Sequence, residues 1–586
     1  MSNLLAPNII LIIGMIYLLF HKHFANKIII ISSFAALISF LFGNNFYLPN
    51  ISIFGTNFSF LEFNKLSWIF SFVYLFVLSF GSLFNFNSKN QIEHFAILFY
   101  AFSAISVVNS SNLITFFIFW EMLTIGASIL IFIGKDKDST GAALRYIIFH
   151  VIGGVIFLSG ILGYYQNFNS FEFTHLAVDN LFSICIFIGI GINCAFPFVH
   201  TWVIDSYPKS SLAGVLFLST FTTKSAVYAL IKLFPAEPLL IPIGCVMIVF
   251  PIFYAVIEND LRKVLSYSLI NQVGFMVVGV GIGTALSING AVAHVVADII
   301  FKGLLFMSVG AVMYRVGSSK ATDLGGLYKY MPITMICCIV GALAISAFPL
   351  FSGFVSKSMI ISSAGNSHNI ILWCILIFGS AGALEHAGIK IPFFTFFGHK
   401  SKKEYKEAPI CMLISMIVFS IATILIGIFP EYFYSFLPFE TDYKPYTFDH
   451  VFAQLELLFF AALSFVFLLL AGAYPPEIAA LNLDFDFFYR KIFNFFNKSF
   501  KAVTNTLNSL FDDILSNNLK NGIVKIFSSF PVFISYPFVL AKNKLTTESK
   551  ETYSSLNYRI QNGIISTKYS IFAIVIFLII LLYILN

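Results

Sequence analysis

The chain has 586 residues, 58% of them hydrophobic and 11% charged, with a formal net charge of +6. Soluble proteins carry roughly 25% charged residues, so no water-soluble domain of useful size is expected before about residue 475, and the chain reads as a polytopic membrane protein. Its seven cysteines lack metal-ligand spacing, and no glycine-rich loop stands between a strand and a helix. Zinc, iron–sulfur, NADH, flavin and ATP sites are therefore not expected, nor a redox or hydrolytic centre, nor nucleic-acid binding.

A membrane crossing needs about 20 mostly apolar residues. The opening MSNLLAPNIILIIGMIYLLF lacks a basic leader and a small-residue cleavage site, so it reads as a first span rather than a signal peptide. Apolar runs predict crossings near 7–20, 26–43, 67–84, 94–109, 112–133, 143–164, 181–198, 210–233, 238–257, 263–281, 286–312, 332–349, 370–397, 409–430, 452–473 and 568–585. Basic loops stay in the cytoplasm. With the N-terminus outside, HKHFANK (21–27), KDKD (135–138), NDLRK (259–263), YRVGSSK (314–320) and GHKSKKEYKE (398–407) all fall inside. The opposite loops are poor in Lys and Arg, and 431–450 carries Glu431, Glu440, Asp442 and Asp449.

Ionisable residues inside these spans are the main functional signal. A charge in hydrocarbon costs ~2.5–3.5 kcal/mol on insertion scales, so such residues face a polar interior and mark ion or proton paths. Glu121 follows Trp120 in mid-span. Lys224 lies beside Thr222, Thr223 and Ser225, and a buried lysine can trade protons near neutral pH. Lys232, close to the span end, fits snorkelling instead. His294, Asp298 and Lys302 are spaced i, i+4, i+8, on one helix face. Such a ladder serves either a proton relay or a salt-bridged helix contact. Glu385, His386 and Lys390 form a further cluster ahead of a basic loop. Asp260, Arg262 and Lys263 read as loop and topology residues, Lys357 as an anchor or part of an exit path, and His150 and His200 as weaker candidates.

Two crossings look interrupted. FPFVHTWVIDSYP (196–208) sets Pro197 and Pro208 around a polar stretch, and SAFPLFSGFVSK (346–357) sets Pro349 beside Gly353. Broken backbone at membrane depth is tolerated where it lines a cavity or is buried in protein. One break per half points to inverted repeats around a transport route. Beyond the spans, 484–530 shows an apolar helical stripe with a Lys, Asn, Asp and Ser face, expected at the cytoplasmic interface or along a partner.

These segments resemble the antiporter-like membrane subunits shared by respiratory complex I and the Mrp-type multisubunit Na+/H+ antiporters, above all the antiporter D branch. The stretches that carry the likeness are FWEMLTI (119–125), FPFVHTWVIDSYP (196–208), TTKSAVYALIKLFP (222–235), NDLRKVLSYSLINQVGFM (259–276), HVVADIIFKGLLFMSVGAVMYRVG (294–317), TDLGGLYKYMP (322–332), LAISAFPLFSGFVSKSMI (343–360), GIKIPFFTFFG (388–398) and LNLDFDFFYR (481–490). They cover roughly residues 95–490 in order. The resemblance implies an all-α fold of 14–16 crossing helices with two inverted five-helix repeats and two broken helices. It implies a first-half acid at Glu121 and a lysine at Lys224. His294 and Lys302 become the central connection, and Glu385, His386 or Lys390 supplies the second-half charge. The family usually carries a lysine just before the first break, where this chain reads GIGINCAFPF with Ile192 and Asn193. Asp298 also stands where a histidine is frequent. The usual Glu–Lys pair of the first half is therefore missing or rebuilt, with Lys224 as the candidate.

The organisation expected is N-terminal helices (1–93), a first half (94–257), a second half (258–430), an additional helix (431–475), an amphipathic cytoplasmic-side segment (476–567) that resembles a lateral helix, and a terminal anchor (568–586). Three functions stay open at this level. One is a proton- or Na+/H+-translocating subunit of a multisubunit cation/proton antiporter. The others are a pump subunit of a complex I-like quinone oxidoreductase, and a non-translocating scaffold. All three put the chain in a cell inner (plasma) membrane among other membrane subunits, without a cofactor of its own.

Overall fold

A computed structural model describes residues 5–43, 51–53, 56–58, 62–398, 403–475, 478, 482–487 and 491. The chain divides into two compact units, Met1–Phe485 and Asp486–Asn586. In the second, Asp486, Phe487 and Lys491 are helical; nearly all of the amphipathic stretch and the whole of the terminal anchor lie outside the described residues.

The first unit is built from helices α1 (Pro7–Phe20), α2 (Ala25–Phe42), α3 (Lys65–Phe84), α4 (Gln91–Val108), α5 (Leu113–Phe132), α6 (Ser139–Phe168), α7 (Leu181–Asn193), α8 (Thr201–Ser206), α9 (Gly214–Thr220), α10 (Thr222–Leu233), α11 (Leu240–Ile257), α12 (Leu261–Ile282), α13 (Ala285–Val316), α14 (Pro332–Ile345), α15 (Ser352–Asn366) and α16 (Ile370–Ala383). α16 continues through a π-helical stretch (Leu384–Ile389), the short α17 (Lys390–Pro392) and a second π-helical stretch (Phe393–Phe397). α18 (Ile410–Ile428), α19 (Pro430–Tyr434) and α20 (Phe448–Leu470) complete it. One antiparallel hairpin, Ile51–Ile53 with Thr56–Phe58, interrupts the helices. Helix starts are written as side-chain caps: Asn64, Asn112, Asp260, Thr284 and Thr447 each accept a bond from a first-turn N–H.

Among the described residues, 12 helical segments are long and apolar enough to cross a membrane, and α1, α7 and α14 are shorter apolar helices. This is a multi-pass membrane protein. α12 and α13 form its centre, since the apolar windows of both are almost wholly buried, whereas α20 exposes most of its surface. A helix that is apolar all round belongs inside. The expected crossings match the helices closely, with one correction. The stretch after 349 is not a connection: 352–366 is helix α15, the second limb of a broken crossing.

Loop contacts sort the helix ends onto two rims. On one, Lys209 meets Asp138 at 2.7 Å, Arg262 donates to the Ser211 carbonyl at 3.1 Å, Asp260 bridges to Lys320, and Arg315 donates to the Glu407 carbonyl at 2.9 Å. On the other, Leu113 N–H reaches the Phe171 carbonyl (2.8 Å), Leu176 that of Leu233 (2.7 Å) and Ala236 that of Val280 (3.0 Å). α4 therefore ends on the rim where α11 begins. The helix orders α4 to α10 and α11 to α16 run in opposite senses.

The two breaks share one local geometry. Cys194-Ala195-Phe196-Pro197-Phe198 follows α7, and Ser346-Ala347-Phe348-Pro349-Leu350 follows α14. Ala195 and Ala347 lie at φ 61° and 58°, Phe198 and Leu350 at φ 72° and 75°. Phe196 N–H reaches back to the Gly191 carbonyl and Phe348 N–H to that of Leu343, each at 3.0 Å. Non-glycine residues at positive φ cost roughly 1–3 kcal/mol each and persist only where the surroundings impose them. Pro208, by contrast, sits in a 3-10 turn (Tyr207–Lys209) on the rim, outside the break itself.

Gly353 starts α15 against the end of α14, where an added methyl would collide with the Ala344 carbonyl. Gly353→Ala should lower the melting temperature of the purified protein, by the roughly 1–3 kcal/mol of an overpacked core site. Gly365→Ala, whose nearest neighbour stands at ordinary contact distance, should not. Equal melting temperatures for both variants would contradict this packing.

Candidate functional site

The site is centred on α13. Its i, i+4, i+8 spacing brings His294, Asp298 and Lys302 to one face, at 0%, 0% and 1% exposure. Each meets a different helix. Lys224 Nζ of α10 lies 2.7 Å from Asp298 Oδ2, both side chains fully buried. Lys224 also donates to the Ser219 carbonyl of α9 at 2.9 Å. Lys302 donates to Ser268 Oγ of α12 at 2.7 Å. His294 Nδ1 pairs with Ser356 Oγ of α15 at 3.0 Å.

Next to Ser356, Lys357 completes the cluster. It is buried, donates to the Ile345 carbonyl at the open end of α14 (2.7 Å), and stands 5.1 Å from the Phe275 ring. Its charge acts on Asp298, as do those of Lys224 and Lys302. Three amines thus share one carboxylate. Protons in such a set belong to the group rather than to single residues. The Asp298 contact is ionic: neither carboxylate oxygen receives an aligned hydrogen bond, and Oδ1 has no partner. Taking both charges from water is costly, and removing one partner of such a pair typically costs 3–5 kcal/mol.

Glu121 stands apart. No described cation pairs with it; Lys224 has taken Asp298 instead. Its Oε1 is buried without a hydrogen bond, in space that Gly154 of α6 leaves open. Asn193, where the resemblance led to the expectation of a lysine, is 1% exposed, and neither end of its amide has a hydrogen-bond partner. At this first break the indole of Trp202 donates to the Ile192 carbonyl at 2.9 Å, the capping task that Lys357 performs at the second.

In the second half, the π-helical stretch turns neighbouring residues to opposite sides. Half-buried Glu385 lines a cavity of about 740 Å³ with Ile252, Val256, Phe378, Ala461 and Leu483. His386 is fully buried, within electrostatic reach of Lys302, Lys357 and Lys390, and neither ring nitrogen has a hydrogen-bond partner. Lys390 donates to the carbonyls of Val256 (2.6 Å) and Glu258 (2.7 Å), closing the end of α11.

The remaining sequence candidates have structural partners. Arg262 is buried and ties α12 to Ser210 and Ser211. His200 Nε2 lies 3.3 Å from Asp484, which also accepts from Tyr267 OH at 2.8 Å. Burial would raise the Asp484 carboxyl, but the His200, Phe485 and Tyr267 donors hold it below the ordinary aspartate value. Lys357 is the residue sequence reasoning undervalued. Its position five residues past Ser352, at the start of α15, was the available signal.

Residues 110–382 match the family described as "NADH:quinone oxidoreductase/Mrp antiporter, TM". Among curated proteins, "Putative antiporter subunit mnhD2" of Staphylococcus aureus (strain JH9) is 27% identical over 353 residues, 57% of this chain and 70% of that protein. Among solved structures, the fold is similar to a chain of the membrane-bound sulfane sulfur reductase, an archaeal respiratory membrane complex (TM-score 0.66, 20% identity, 78% of this chain and 98% of that one). It is equally similar to a chain of the Mrp complex from Dietzia sp. DQ12-45-1b (TM-score 0.66, 16% identity, 78% and 98%). A chain of respiratory complex I from Thermus thermophilus follows (TM-score 0.64, 18% identity, 73% and 98%).

The ion pair has a direct test. Lys224→Met and Asp298→Leu alone should each destabilise the protein by about 3–5 kcal/mol, and the double variant should recover most of that loss. Thermal unfolding of the three purified proteins measures it; additive losses in the double variant would show that the two groups do not interact.

Proposed function

We propose, from the match of residues 110–382 to the NADH:quinone oxidoreductase/Mrp antiporter transmembrane family, that this chain is a proton- or Na+/H+-translocating membrane subunit of a multisubunit cation/proton antiporter. The observation that carries the proposal is the buried Lys224–Asp298 pair with Lys302, Lys357 and His294 gathered around it. A scaffold has no reason to keep such charges in lipid. The mnhD2 protein, named as an antiporter subunit, supports the antiporter over the redox-driven reading.

Translocation then works by competition for one carboxylate. A proton reaching the cluster changes the charge around Asp298 and weakens or strengthens its hold on Lys224. Lys302 and His294, one turn to either side, hand protons along the α13 face. Glu385 admits protons or cations from the cavity, and His386 carries them inward to Lys302; Lys390 anchors this end of the path. Glu121 serves the first half. Pro197, Pro349 and Gly353 keep the two breaks open as backbone lining of the route.

The repeats are best taken as α4 to α10 and α11 to α16, which moves 240–257 from the first half to the second. Residues 1–93 remain an N-terminal group and 431–475 an added helix, with 476–567 and 568–586 as lateral segment and anchor. Gathering of the basic loops on one rim supports a plasma (inner) membrane orientation with the N-terminus outside. The partners are other membrane subunits of the antiporter assembly.

Lys302→Ala should slow cation-driven proton exchange by roughly tenfold or more while the assembled complex forms normally. The measurement is dye-reported collapse of a pH gradient in inverted vesicles on adding NaCl or KCl. Wild-type exchange in Lys302→Ala and Lys357→Ala alike would rule out the central cluster as the route.

A further inference from the structure

The first half contains a second polar line that carries no lysine. On α6, Tyr146, His150 and Gly154 are spaced i, i+4, i+8, on one face. They stand 152 residues before Asp298, Lys302 and Phe306 of α13, the same interval that separates the two breaks. Glu121 packs its carboxylate over Gly154. One turn along, His150 uses Nδ1 on the Tyr146 carbonyl (2.9 Å), which leaves Nε2 buried and without a partner. Its ring stacks on that of Tyr146 at 3.9 Å. Glu121 acts electrostatically on Tyr146.

From Tyr146 the line continues into hydroxyls. Tyr146 OH lies 3.3 Å from Thr222 Oγ1, and Thr222 Oγ1 lies 2.5 Å from Tyr100 OH. Thr222 N–H donates to the Tyr100 oxygen at 3.2 Å. Thr222 Oγ1 thus joins the two phenols, and because a hydroxyl both donates and accepts, the bonded set can be polarised in either direction. Thr222 opens α10, two residues ahead of Lys224.

We propose that the first half conducts protons through an uncharged hydroxyl relay, Tyr146–Thr222–Tyr100, that continues the line of Glu121 and His150 and stands in for a lysine at Asn193. Each hydroxyl accepts a proton on one side and releases another from the opposite side, so no residue of this wire need change its net charge. The inference rests on the translocating function proposed above and adds residues that function did not use.

Thr222 is the residue to test. Thr222→Val keeps the shape and removes the hydroxyl; Thr222→Ser keeps the hydroxyl and removes a methyl. In inverted vesicles holding the whole assembled complex, with NaCl or KCl as the trigger, Thr222→Val and Tyr146→Phe should each slow proton exchange by about tenfold, and Thr222→Ser should stay within about twofold of wild type. Assembly is checked by native gel in every case. Wild-type rates in Thr222→Val overturn the wire. So does a Thr222→Ser variant that assembles fully yet is as slow as Thr222→Val, since packing and not the hydroxyl would then matter. Lys302→Ala in the same vesicles separates the two ideas. Loss there with normal Thr222→Val exchange removes the wire alone, while normal exchange in both removes the translocating function as well.

Discussion

The contact between Lys224 and Asp298 joins α10 to α13, and so joins the first inverted repeat to the second. Little else at the centre of the molecule is as constrained. Both side chains are wholly buried, so neither charge can turn to water if the other leaves. The pair is also exposed to influence, because Lys302 and Lys357 act on the same carboxylate. A charge change at any member therefore shifts the electrostatic balance for all.

The repeats are alike in backbone and unlike in chemistry. Their breaks share positive φ at equivalent alanines and the same backward hydrogen bonds. Yet the carbonyls freed there are met by an indole in the first half and by an ammonium in the second. The same contrast runs along α6 and α13, where Tyr146 and His150 occupy the places of Asp298 and Lys302. The two frames share a geometry, but at these α6 and α13 positions one carries aromatic and imidazole groups where the other carries a carboxylate and an ammonium. Because a broken helix must cap its carbonyls whatever else it does, the fold tolerates either solution.

Much of this is legible in the sequence. Charge ladders with helical spacing fix a face regardless of neighbours, so His294, Asp298 and Lys302 could be grouped from sequence alone. Apolar runs located nearly every helix for a similar reason, since lipid enforces length. What failed was local hydropathy where a helix is buried by protein. α15 carries Ser352, Ser356, Lys357, Ser358, Ser362 and Ser363, too polar to read as a span, and its burial against α13 was invisible. The Lys224–Asp298 pair was hidden because it spans 74 residues of sequence, and spacing rules reach only one or two helical turns. The shared Ala-Phe-Pro of the two breaks was present in the sequence and short enough to pass for chance; its common dihedral angles give it meaning.

A further connection reaches the cluster from the far end of the chain. Asp484 lies beyond the last described crossing, yet its carboxylate takes hydrogen bonds from His200, in the first break, and from Tyr267 of α12. Phe485 stacks edge-on against Phe198, the residue at positive φ in that same break. The next residue of α12 after Tyr267 is Ser268, which receives the Lys302 ammonium. Consecutive residues on a helix point about 100° apart. α12 therefore presents one side to the first break and Asp484, and another to the charge cluster. Any rotation of α12 that relaxed the Asp484 contact would also move the hydroxyl that Lys302 depends on. The strained break of the first repeat and the lysine of the second are thereby linked through one buried helix, by packed and hydrogen-bonded groups throughout, without a flexible segment between them.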